Sequence, residues 1–217
     1  MKKQGNWPTV LVAVCVVLFL GYFFGGNSKK ENQIPKKSQD LVAAKDIVYA
    51  GQEKDGIPSI TKPRFIPVPD ATWLKDDSVG ISLEGESGAR FYPLEILRWH
   101  EVANDFSDGK ALAVTYSPLS HSASVFYRNI VKRNVEFGVT GRVWNSHSVY
   151  YDRLTDTVWS PIWGRAIAGK LSGQVLKTAA HDMTTFGAWK KVFPKGKVLS
   201  RSTGFIRTYN KNSYQEY

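Results

Sequence analysis

Cysteine is almost missing: of 217 residues only Cys15 carries a thiol, and it lies in an apolar stretch near the N-terminus. The rest of the chain therefore has no intrachain disulfide, no cysteine zinc site and no thiol nucleophile. No segment repeats at a solenoid or propeller period, which excludes those architectures. No Gly-x-Ser-x-Gly elbow stands between a strand and a helix, so a serine hydrolase of that type is excluded as well. Acidic residues run short towards the C-terminus, where residues 165–217 hold ten Lys or Arg against Asp182 and Glu216. No RNA- or DNA-binding motif accompanies that basic quarter. It reads as a solvated face able to touch phosphate or lipid, and nucleic acid is not an expected partner.

What is present is the composition of a folded chain, with 42% hydrophobic and 22% charged residues. Aromatics reach 13%, seven of them Trp, which favours strands and amphipathic contact surfaces. The net charge of +10 is unevenly spread. Residues 9–26 carry no charge over about the length of a bilayer core, and Trp7 and Tyr22 suit its two interfaces. Lys2, Lys3, Lys29, Lys30, Lys36 and Lys37 flank this run with Glu31 as the one acid, an arrangement suited to anionic headgroups. No small-x-small cleavage site precedes Gly25 and the run is long for a signal peptide, so an uncleaved anchor is expected. The basic start favours a cytoplasmic N-terminus and a domain outside the cytoplasm, periplasmic or extracellular. Three parts follow: a transmembrane anchor at 1–26, a tether at 27–45 and a domain at 46–217, long enough to bury its own core.

Within the domain, short β-branched and aromatic runs alternate with turn residues. Pro58, Pro63, Pro67 and Pro69 rule out a helix or central strand there, so that segment should wrap the surface in extended form. Strands are expected at 79–83, 89–92, 99–105, 111–116, 123–128, 135–140, 142–151 and 158–162. Shorter pieces follow at 165–171 and 174–178, and a last strand at 198–199. Pro93 should open a short helix over 94–98. Thr184 should cap a second at 185–193, stopped by Pro194 and Gly196. The expected fold is mainly β, an antiparallel barrel or sandwich with two short helices behind an N-terminal transmembrane helix.

Residues 111–128 organise the rest: a strand, the bend Ser117-Pro118-Leu119-Ser120-His121, and a second strand. Ser117, Ser120, His121 and Ser122 crowd small donors and acceptors and one titratable ring into that bend, although Ser and Pro are also ordinary turn residues. If the preceding hairpin closes with Asp105 near Lys110, His100 falls opposite Thr115 and close to Ser117. Trp99, Tyr116, Trp144, Tyr150, Tyr151, Trp159 and Trp163 are enough rings to line a groove for a glycan, peptide or partner protein. Asn145, Asp152 and Arg153 would add polar contacts, unless Asp152 and Arg153 pair within their own turn.

Several of these segments form a pattern. They are Asp55-Gly56-Ile57-Pro58-Ser59-Ile60, Tyr92-Pro93-Leu94 with Ile96-Leu97, Trp99-His100-Glu101-Val102, Asn104-Asp105 and Ala113-Val114-Thr115-Tyr116. It continues with Phe137-Gly138-Val139, Asn145-Ser146, Tyr151-Asp152-Arg153, Trp159-Ser160, Ala166-Ile167-Ala168-Gly169 and Thr203-Gly204. On these residues the chain from about 55 to 214 resembles the bacterial domain of unknown function 3179 family. The resemblance implies a secreted or membrane-attached protein and implies no reaction. The family pattern has Cys-Pro-Leu-Cys-Gly where this chain has the Ser117 to His121 bend, and Asn-Ser-Asn where it has Asn145-Ser146-His147. Two serines cannot do what a thiol pair does. Either the site has decayed or it has been rebuilt around His100, His121 and His147.

Two functional readings follow. In the favoured one the domain is not an enzyme but a ligand- or partner-binding or assembly module. Its candidate pocket comprises His100, Glu101, Tyr116, Ser117, Ser120, His121, Trp144, Asn145, His147, Asp152 and Arg153. In the alternative, His100, His121 and His147, with Glu101 or Asp152, hold zinc or copper in a metal carrier or metalloenzyme. Three imidazoles with an open position suit zinc, and imidazole suits copper, but no i, i+4 pair of histidines supports the set. A hydrolase built on Ser117 or Ser120, with His100 or His147 as base, has the parts but lacks the elbow.

Overall fold

A computed structural model describes residues 39–211 and 214. The expected anchor at 9–26 lies outside the described residues. Along the chain run β1 (Val48–Tyr49), β2 (Phe65–Pro67), β3 (Val79–Leu83), β4 (Arg90–Pro93), α1 (Leu94–Leu97), β5 (Val102–Ser107) and β6 (Lys110–Ser117). Next come β7 (Ser122–Tyr127), β8 (Asn129–Ile130), β9 (Arg133–Asn134), β10 (Phe137–Trp144) and β11 (His147–Asp152). The last elements are β12 (Val158–Ser160), β13 (Arg165–Ala168), β14 (Asp182–Thr185), α2 (Phe186–Val192) and β15 (Lys197–Leu199). One antiparallel sheet has the order β1-β10-β11-β12-β13, and a second has the order β14-β3-β4-β15-β2, in which β4 and β15 are parallel. A third holds β5-β6-β7, and β8 pairs with β9. None of the sheets closes on itself, so of the two expected architectures the sandwich fits and the barrel does not. The proline-rich segment contributes only β2, at a sheet edge, where a missing N–H does no harm.

The β5-β6-β7 sheet is buried on both faces, because alternate residues of β6 feed different cores. Leu112, Val114 and Tyr116 pack with Ile81, Tyr92 and Ile96, whereas Ala113 packs with Phe126, Phe137 and Trp159. At roughly 1.5–3 kcal/mol for each large buried side chain, this layer contributes much of the driving force for folding. Asn104 ties it to the first sheet: its Nδ2 donates to the Phe137 carbonyl (2.9 Å) and its Oδ1 accepts from the Phe137 amide (2.8 Å). A further cluster packs Phe186 and Trp189 of α2 on Phe91. Gly80 permits that approach, since a Cβ there would stand 2.3 Å from the Phe91 ring.

Several local expectations are corrected. Residues 142–151 are not one strand but the arms of a hairpin turning at Asn145 and Ser146, both left-handed (φ 49° and 59°), the geometry of a type I′ turn. The β5–β6 hairpin closes through Asp108-Gly109, with Ser107 opposite Lys110 and Val102 opposite Thr115. The register thus slides by two residues from the expected one. Residues 99–101 continue the turn after α1 instead of entering the strand, with the His100 amide donating to the Leu97 carbonyl. Finally, Thr185 rather than Thr184 caps α2 (3.4 Å to the Ala188 amide), residues 174–178 form only isolated bridges, and β14 is an additional strand.

Candidate functional site

Two hairpin ends meet at the expected site. The β6–β7 hairpin ends with Ser117 opposite Ser122, and β11 begins beside it at His147. Successive β11 side chains point to opposite faces, so His147 and Ser148 meet different parts of the bend. Buried Ser117 donates from Oγ to Ser148 Oγ (3.2 Å) and accepts from the Ser148 amide (3.1 Å). Nδ1 of His147 lies 2.7 Å from Ser120 Oγ and 3.0 Å from Ser122 Oγ, and the two hydroxyls are 2.8 Å apart. Nε2 of His147 is buried without a hydrogen-bond partner. Burial lowers the His147 pKa from 6.5 to about 4, so the ring is neutral at pH 7. Among the described residues no carboxylate orients this imidazole, whose Nδ1 meets only the two serine hydroxyls.

The three histidines expected to share a metal ion are not brought together. His100 belongs to the turn after α1, where its Nδ1 donates to the Pro58 carbonyl (2.7 Å) and its Nε2 accepts from the Tyr209 hydroxyl (2.8 Å). Its ring lies against Phe205 and Tyr209, and burial lowers its pKa to about 4. This is a satisfied core histidine, not a neighbour of Ser117. His121 is exposed at a left-handed position (φ 49°), with Nδ1 3.2 Å from the Tyr116 hydroxyl. Among the described residues no three His, Cys, Asp or Glu side chains are placed to hold a metal ion. His100 leaves the set expected to hold zinc or copper because residues 99–101 continue the turn after α1 and β5 begins only at Val102.

Asp152 and Arg153 do not pair with each other. Asp152 is fully buried and accepts from the Thr155 amide and hydroxyl and from Trp159 Nε1 (2.9 Å), which closes its turn. Arg153 instead forks onto Asp55 at 2.7 and 2.8 Å. The expected aromatic groove does not form either. Tyr116, Tyr150, Tyr151 and Trp159 are core, because their strands turn these rings inward. Trp144 and Trp163 lie against each other with centroids 5.4 Å apart, and Asn145 is occupied with the hairpin turn.

Glu101 is the exception. It takes a left-handed conformation (φ 56°) just before β5 and accepts the Tyr116 amide, in line with the ladder below it. Its carboxyl is buried. The Tyr214 hydroxyl donates to Oε1 (2.6 Å), whereas Oε2 has no hydrogen-bond partner. Burial pushes its pKa up, partly offset by the hydroxyls of Tyr214, Ser148 and Tyr150. The side chain borders a cleft of about 330 Å³, whose walls include Trp99, Ser148, Arg142, Arg207 and Tyr214, with Leu119 from the serine bend. Of these, Ser148, Arg142, Arg207, Leu119 and Tyr214 were not expected at the site. Strand alternation next to His147 could have signalled Ser148. Nothing local marks Arg207 or Tyr214, which come to the cleft from more than a hundred residues beyond Glu101.

No curated protein and no solved structure matches the chain. A family model does match, over residues 54–217, which takes in the bend, Glu101 and the whole lining of the cleft from Gly56 onward. The chain therefore belongs to the family described as protein of unknown function, DUF3179.

Proposed function

We propose that this protein is a non-catalytic ligand-binding domain, anchored through residues 9–26 and displayed outside the cytoplasm. The ligand site is the cleft bordered by Glu101, and the observation that carries the reading is the buried Glu101 Oε2 without a partner. A buried polar atom left unsatisfied costs on the order of 1–3 kcal/mol, which a ligand filling the cleft can return. The volume lies at the small end of the roughly 300–1,000 Å³ range of ligand sites, so the occupant is a small molecule and not a folded partner. Anchoring rests on the uncharged run and its flanking lysines.

The test uses the full chain in detergent micelles and a variant, Val143→Trp, that fills the cleft from β10. A panel of small organic acids, amines and alcohols is screened by thermal shift. At least one compound is expected to raise the Tm of the wild type and not that of the variant. Equal shifts in both proteins, or no shift by any compound, would overturn the reading.

A further inference from the structure

Resting on that cleft being the ligand site, we infer that it takes a small organic anion, a carboxylate or phosphate head on a compact apolar body, with Arg142 and Arg207 as its counter-charges. The argument begins with the walls. Arg142 and Arg207 both border the cleft, and among the described residues neither is ion-paired with a carboxylate. Among the described residues their guanidinium groups donate only to main-chain carbonyls, Arg142 to Ile47 (3.4 Å) and Arg207 to Ile206 (3.0 Å). Guanidinium groups bind carboxylate and phosphate oxygens in a planar fork, and two of them on one small cleft select a negative head.

The second line of argument is Glu101. An ionised carboxylate in the wall would favour a cation, but the carboxyl is buried and has no cationic partner within bonding distance. Burial favours its protonated form. Oε1 accepts from Tyr214, and the Ser148 and Tyr150 hydroxyls also face the carboxyl, so neutral donors and not a cation surround it. The remaining wall is apolar, with Ile57, Trp99, Leu119 and Val143 around the polar groups. Inorganic phosphate alone would leave that surface uncovered, so the head carries an apolar body.

The experiment titrates the full chain in detergent micelles by calorimetry with 3-phenylpropionate, phenyl phosphate, inorganic phosphate, phenylethylammonium and phenylethanol. At least one of the first two is expected to bind, and the difference between them identifies the head. The double variant R142Q/R207Q should weaken that binding about tenfold or more. Glu101→Gln, which carries no charge and keeps an acceptor for Tyr214, should bind within about threefold of wild type. Circular dichroism and melting of each variant establish that it is folded. Preferential binding of phenylethylammonium, of phenylethanol or of inorganic phosphate would overturn the anionic ligand while leaving a ligand site. Unchanged affinity in R142Q/R207Q would overturn it too. If no probe binds the wild type, both the anion and the cleft as a ligand site fail.

Discussion

Two buried histidines, His100 and His147, are each held neutral with a pKa of about 4, yet their surroundings differ. The turn after α1 gives His100 a partner for each nitrogen and two aromatic neighbours. The hairpin end at β11 gives His147 two serine hydroxyls on one nitrogen and none on the other. The same titration shift therefore accompanies a structural linchpin in one region and an incompletely satisfied group in the other. Burial alone marks neither as a functional residue; the accounting of donors and acceptors separates them.

The largest expected effect is on acid stability. The unfolded chain takes up protons on histidine near pH 6.5, but the folded chain only near pH 4. Proton uptake by the unfolded state thus removes stability as pH falls from 6.5 towards 4, and neither ring costs any above that window. A shift of that size corresponds to up to about 3 kcal/mol per ring, reduced by solvent screening. Glu101 acts in the opposite direction, because its raised pKa removes stability as pH rises. Urea unfolding of the full chain should therefore show His147→Phe close to wild type at pH 7 but gaining on it steadily below pH 6.5. Parallel pH profiles would show that His147 titrates normally.

At pH 7 the two sites should respond differently to the same substitution. His100→Phe strands the Pro58 carbonyl and leaves the Tyr209 hydroxyl with Thr203 alone, and should cost about 1–3 kcal/mol, read as a lower urea midpoint at unchanged slope. His147→Phe removes an orphan nitrogen and releases two serines near the surface, so it should stay within about 1 kcal/mol of wild type. Equal costs would erase the contrast between the regions. The smallest effect should come from the third, exposed histidine. Replacing His121 by Gly relieves a left-handed conformation at the expense of chain entropy and the Tyr116 contact, for a gain of a few tenths of a kcal/mol in melting experiments.

The sequence displayed much of the local structure. Strands, two short helices and the serine bend follow from patterns over five to ten residues, and their boundaries moved by only a few positions. The site was less legible. Asp108-Gly109 is a strong two-residue turn signal, and reading it as the closure would have put Val102 opposite Thr115; what keeps His100 out of the sheet is the turn after α1, which runs on through Glu101. Asn145-Ser146 was harder to see, because apolar and aromatic residues continue on both sides of it. The cleft was hidden for a different reason: Glu101 meets Tyr214 across 113 positions, and Ser117 meets Ser148 across 31.

By itself, then, the order of residues determined the β-rich class, the one-thiol chemistry, the uncharged run and the location of the bends. Each depends on neighbours in the chain: backbone preference, alternation with period two, or local charge. Only the tertiary structure decided which polar groups share a cleft. Alternation tells which side of a strand a residue occupies but not what packs against that side. That choice is made collectively by the buried layers, which set Glu101 against Ser148 and Tyr214 and sent His100 to Tyr209.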